Sequence, residues 1–145
     1  MWLYKMFKPI YTCLWFDGKA KEAADFYCAT FKNSRILSEN PIVVMFELNG
    51  IQFKALNGGP HYQFSPAISL VVECQTQAEI DHYWDTLVKE GTPSRCGWLS
   101  DKYGVSWQIV PTVLGKLMAD PERAPRVVQA FMQMTKLDIT ALENA

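Results

Sequence analysis

Glu47 and Lys54 are the side chains of this sequence whose type and spacing best suit chemistry. They stand on either side of Asn49-Gly50, a pair that favours a tight turn, so a hairpin would bring both to one sheet face. An ammonium in a pocket can anchor an anionic or carbonyl-bearing ligand. As a Schiff-base former Lys54 would need its pKa lowered by desolvation. Glu47 as a general base would need a raised pKa and a substrate within hydrogen-bond reach. The plainer alternative is a diagonal Lys54–Glu47 ion pair, with Met45 directly opposite Lys54. No catalytic residue is assigned; Glu47 and Lys54 are the best candidates. Gln52 and Gln108 offer amides that either orient a ligand or bond a neighbour. Trp15 and Met45 offer an apolar wall, although a strand tryptophan also suits a core. Asn57 and His61 flank Gly58-Gly59-Pro60, where turn chemistry and solvation explain them as well as ligand binding does. Trp98 joins this set only if the turn at Asp101–Gly104 has the right length.

Metal chemistry has little to work with. Cys13, Cys28, Cys74 and Cys96 form no CxxC pair, and His61 and His82 fall on a loop and a helix. Cys13 as a nucleophile lacks a histidine beside it to make the thiolate. No metal ligand and no cofactor is expected. Unpaired cysteines in strands and a helix suit a reducing cytoplasm. A net charge of −1 and scattered Arg123, Arg126 and Lys136 give no footprint for nucleic acid. Met1 to Lys8 is too short and too interrupted for a secretory segment, and no apolar run is long enough to span a bilayer.

The elements that must position these groups follow from periodicity. Ile10 to Phe16 reads as a strand closed by Asp17-Gly18, and Lys19 to Phe31 as a helix with Ala23, Phe26, Tyr27 and Phe31 on one face. Short strands at Arg35–Ser38, Ile42–Leu48 and Ile51–Leu56 follow, the last two joined by the Asn49-Gly50 turn. Asn57 to Pro60 is a loop. Then come a strand at Ala67–Glu73, a helix at Gln77–Glu90, a break at Gly91-Thr92-Pro93, short strands within Ser94–Ser100, and a strand at Val105–Val110. From Thr112 the tail is helical, interrupted at Asp120-Pro121 and Ala124-Pro125. Its stripe of Val127, Val128, Phe131, Met134 and Leu137 suits packing on the domain or on a partner.

The chain thus repeats itself. At one constant offset Leu14, Asp17, Asp25, Tyr27 and Phe31 fall on Leu70, Glu73, Asp81, Tyr83 and Leu87. Glu47-Leu48-Asn49-Gly50-Ile51 likewise resembles Asp101-Lys102-Tyr103-Gly104-Val105. An internal duplication of this length argues for two copies of one supersecondary unit. The fold class is α+β, two βαβββ modules forming a curved mixed sheet around a cup, plus C-terminal helices. One domain spans 1–145: module one about 9–59, module two about 66–111, and a helical segment 112–145. Strand parity puts Leu14, Phe16, Phe46, Leu48, Ile51, Phe53, Leu70, Val72, Val105, Trp107 and Ile109 under the helices. Cys13, Trp15, Met45, Glu47, Gln52, Lys54, Ser69, Val71, Ser106 and Gln108 take the other face. Its polar and apolar mixture is that of a small-molecule site.

Leu14-Trp15-Phe16-Asp17-Gly18, Ala23-Ala24-Asp25-Phe26-Tyr27, Asn33-Ser34-Arg35-Ile36 and Phe53 to Pro60 resemble a known family, as does, most specifically, Cys96 to Pro111. These motifs are similar to those of PhnB-like proteins, catalogued as a demethylubiquinone methyltransferase domain. That family sits in the vicinal oxygen chelate superfamily with glyoxalase I, bleomycin-resistance proteins and extradiol dioxygenases. The resemblance runs from Ile10 to Leu142 and implies paired βαβββ modules, commonly in a homodimer. It places the superfamily's metal positions near Tyr11 and Ala67 and on Lys54 and Gln108, a set that cannot hold a divalent ion. The connection Glu39–Ile42 is shorter than the family's. The methyltransferase label is not matched by a strand–glycine turn–helix for S-adenosylmethionine. The expected function is a metal-free small-molecule-binding protein, a bacterial-type homodimer whose partner is a small organic molecule. One alternative is an enzyme of the superfamily: lyase, isomerase, dioxygenase-like, or the named methyltransferase. Another is an interaction module that uses the C-terminal helices.

Overall fold

The computed structural model describes residues 8–145, so all but the last residue of the Met1–Lys8 segment lies outside it. The chain divides into two compact units, 1–63 and 64–145. In the first, β1 (Thr12–Phe16) leads to α1 (Ala20–Thr30), then to β2 (Arg35–Glu39), β3 (Val43–Leu48) and β4 (Ile51–Asn57). The sheet order is β1-β4-β3-β2, with β1 parallel to β4 and the remaining pairs antiparallel. Asn49 and Gly50 have φ of 51° and 81°, the left-handed pair that a type I′ hairpin requires. Leu48 therefore pairs with Ile51 and Phe46 with Phe53. Ala20, Ala23, Ala24 and Tyr27 of α1 are fully buried, and the Tyr27 and Phe46 rings stack at 6.4 Å. Small residues on the inner helix face let the helix approach the sheet closely. Ile51 departs from expectation: parity points it toward α1, yet it is 62% exposed, because it sits at the hairpin tip.

The second unit repeats the plan with β5 (Leu70–Cys74), α2 (Gln77–Val88), β6 (Thr92–Pro93), β7 (Trp98–Ser100) and β8 (Ser106–Pro111), ordered β5-β8-β7-β6. Thr76 caps α2 by accepting from the Glu79 amide, and Glu79 reaches back to accept from the Gln75 amide. Ile80, Trp84 and Leu87 of α2 are buried, as are Trp107 and Ile109 of β8. Thr92-Pro93, read from sequence as a break, is instead the edge strand β6, an edge position where proline costs no ladder bond.

The tail forms α3 (Val113–Ala119), α4 (Ala124–Met132) and α5 (Ile139–Glu143). Ala124-Pro125 does not interrupt a helix; it opens one, with proline in the first turn where no donor is lost. Leu117, Val127, Leu137 and Leu142 make a core of their own, with Phe131 and Met134 packed against it. The backbone of Cys96 and Gly97 donates to Met134 O and Thr135 O at 2.8 Å, which binds the tail to the β6–β7 loop. The apolar stripe on the tail is thus largely spent within unit two. Among the described residues no helix is long and apolar enough to cross a membrane.

Candidate functional site

Register fixes which candidates share a face. In module one Cys13 pairs with Lys54 and Lys54 with Met45, while Gln52 pairs with Glu47 and Glu47 with Arg35. Met45, Glu47, Gln52 and Lys54 are all half-buried on the face away from α1. The Lys54–Glu47 pair expected from sequence does not form. Glu47 Oε1 instead accepts from Arg35 Nε at 2.8 Å, because Arg35 is its direct cross-strand partner. Lys54 Nζ lies over the Tyr11 ring, 5.8 Å from its centroid. Glu47, with one carboxylate oxygen held by a guanidinium, has little of the freedom a general base needs.

Trp15 is not an open wall. Its Nε1 donates to Gly59 O at 2.8 Å, and its ring meets Tyr62 edge-on with centroids 4.9 Å apart. Asn57 spends its amide on the backbone: Oδ1 accepts from Ala20 N at the start of α1, and Nδ2 donates to Pro41 O. His61 is exposed on the loop beyond Pro60. The Gly58-Gly59-Pro60 loop is therefore held by Trp15 on one side, while Asn57 at its base ties β4 to α1.

Module two brings its candidates together on one face as well. Trp98 pairs directly with Gln108, and Gln108 with Val71, so all three share the face away from α2. Gln108 Nε2 donates to Ser69 Oγ at 2.9 Å, and its Oε1 has no partner among the described residues. Beside Trp98 is a cavity of ≈ 400 Å³, lined by Phe64, Pro66, Thr92, Pro93, Ser94, Trp98, Leu99, Ser100, Gly104 and Ser106. Asp101, next to Ser100 in the chain, does not line it but braces the turn behind it. This buried carboxylate accepts from the backbone N–H of Tyr103 and Val105 through Oδ1 and from Trp107 Nε1 through Oδ2, at 2.9 to 3.0 Å. Both neighbours of Ser106 are thus pinned.

The hydroxyls of Thr92, Ser94 and Ser100, and the loop residues Phe64 and Pro66, escaped the sequence reading. Ser106 was placed on the right face by alternation but given no role. The edge strand that carries Thr92 was read as a break, and an irregular loop has no period to reveal Phe64.

The profile of the 3-demethylubiquinone-9 3-methyltransferase family matches residues 8–110. The PhnB protein of Bacillus cereus is 35% identical, over 72% of this chain and 100% of that one, with a TM-score of 0.67. The fold is shared with PA1353 of Pseudomonas aeruginosa, at 16% identity over 72% of this chain and 98% of that one, TM-score 0.60. It is shared too with the fosfomycin resistance protein FosX of Listeria monocytogenes, solved with Mn(II) and sulfate, at 11% identity over 77% and 96%, TM-score 0.57. No curated protein matches the chain.

The groups these relatives suggest do not fit the residues present. Among the described residues no three His, Cys, Asp or Glu side chains come together to hold a metal. Lys54 sets a cation on the face it shares with Met45, Glu47 and Gln52, and Glu47 is engaged by Arg35. The Gly58-Gly59 pair does not open a helix toward a cofactor; Gly58 lies under the Trp15 ring and Gly59 accepts its N–H. Family profile, identity to the PhnB protein and duplicated βαβββ topology agree: the chain belongs to the PhnB-like, 3-demethylubiquinone-9 3-methyltransferase family.

Proposed function

We propose that the protein binds a small organic molecule on the open face of module two, with no metal held at the superfamily's strand positions. The observation that carries this is the ≈ 400 Å³ cavity walled by Trp98, a volume within the range of small-molecule sites. None of its lining side chains is titratable, which favours recognition over acid–base catalysis. Gln108, whose Oε1 has no partner among the described residues, is the adjacent group for polar orientation. Met45, Gln52 and Lys54 make a second candidate surface on module one. The protein is further proposed to act as a homodimer, since Ile68 and Val71 leave apolar surface 75% and 57% exposed. Four free cysteines suit a reducing cytoplasm.

The test is a screen of small ring compounds read by tryptophan emission, repeated on Trp98→Ala. Ligands that shift emission in the native protein should lose both signal and affinity in Trp98→Ala, with an unchanged far-ultraviolet spectrum. Undiminished affinity in that variant, measured calorimetrically, would overturn the reading.

A further inference from the structure

The cavity beside Trp98 also carries information about the charge of what it takes. Thr92, Ser94, Ser100 and Ser106 present hydroxyls around one space, and none of them has a hydrogen-bond partner among the described residues. Ser106 is the telling member. The residue is only 5% exposed, yet among the described residues no side-chain nitrogen or oxygen is both fully enclosed and unpartnered. Its hydroxyl must therefore open onto the cavity. The Asp101 carboxylate fixes the residues before and after it, at Val105 N and Trp107 Nε1, and so holds the backbone that carries the hydroxyl. Opening onto the cavity with no protein partner among the described residues, the hydroxyl is available to bond a ligand oxygen or amide.

No Lys, Arg, His, Asp or Glu lines this space. An ion entering it would give up its hydration with no counter-charge to receive it. Phe64, Pro66 and Trp98 meanwhile offer apolar faces to a flat ring. We propose that the module-two cavity selects an uncharged ring compound whose edge carries hydroxyl or carbonyl groups, recognised by Ser106 and Ser100 against the face of Trp98. This rests on the binding reading above and adds the ligand class to it.

The experiment uses benzamide, benzoate and benzylamine, one ring with a neutral, anionic or cationic substituent at neutral pH. Binding is followed by nuclear magnetic resonance shifts of the cavity residues. Benzamide should bind about tenfold tighter than either ion. Ser106→Ala and Ser100→Ala should each weaken benzamide about threefold or more. Because the Ser106 hydroxyl bonds nothing among the described residues, Ser106→Ala should leave the melting temperature unchanged or raise it. If an ion binds as tightly as benzamide, the ligand class is wrong while the cavity stands as a binding site. If the amide binds best but both alanine variants bind it equally well, the hydroxyls are not its recognition elements and the proposal fails. If none of the three shifts a cavity residue, the binding reading fails with it.

Discussion

Trp15 and Gly58 share one space. A Cβ built on Gly58 would lie 2.3 Å from the Trp15 ring, and the same indole donates to Gly59 O at 2.8 Å. The loop after β4 is therefore closed down on β1 only because residue 58 has no side chain.

Gly58→Ala should force the indole out of its seat. A displaced ring in a packed site costs about 1–3 kcal/mol. Urea unfolding would show a lower midpoint with an unchanged slope, and Trp15 emission would shift red in the native state. A midpoint equal to wild type would show that the loop yields instead.

Asp101 is 3% exposed, and its carboxylate accepts from Tyr103 N and Val105 N in the turn before β8 and from Trp107 Nε1 on β8. Asp101→Ala would orphan the buried Trp107 N–H and two backbone donors. The expected loss is about 3 kcal/mol, from hydrogen bonds to a charged group and their unmade partners. Asp101→Asn keeps one acceptor and should lose less. Thermal unfolding of both variants checks the order; equal losses would contradict it.

Asp81 couples the tail to α2. Its carboxyl is held below its ordinary 3.8 first by the Gln77 amide and then by Lys136, whose Nζ stands 3.2 Å from Oδ1. A depressed acid contributes stability above its unfolded value and loses it as pH falls through that value to the folded one. The melting-temperature gap between wild type and Asp81→Asn should therefore be constant at neutral pH and close below about pH 4. A gap that persists undiminished at about pH 2 would refute the assignment.

Most of this architecture was legible because its signals are local. Asn49-Gly50 dictates the hairpin, the hairpin dictates register, and register alone sorts Lys54, Met45, Glu47 and Gln52 onto one face. The second turn was harder. Asp101 to Gly104 is not a two-residue turn, so the face of Trp98 waited on the observed pairing with Gln108. The ion pairing was misjudged because it depends on a third strand: Arg35 reaches Glu47 through β2, which sequence spacing around the hairpin does not reveal. The cavity was invisible for a similar reason. Its walls come from an edge strand of two residues, a turn, and an irregular loop at Phe64–Pro66, none of which has a period to read.

The central claim is that module two takes a small organic molecule beside Trp98. The most direct measurement is the amide and indole N–H spectrum of isotope-labelled protein titrated with mixtures of small neutral ring compounds. The account predicts shifts gathered on Thr92, Ser94, Trp98, Ser100, Gly104 and Ser106, with the indole N–H of Trp98 among the largest. Shifts confined to the tail helices, or none at millimolar ligand across the whole set, would contradict it.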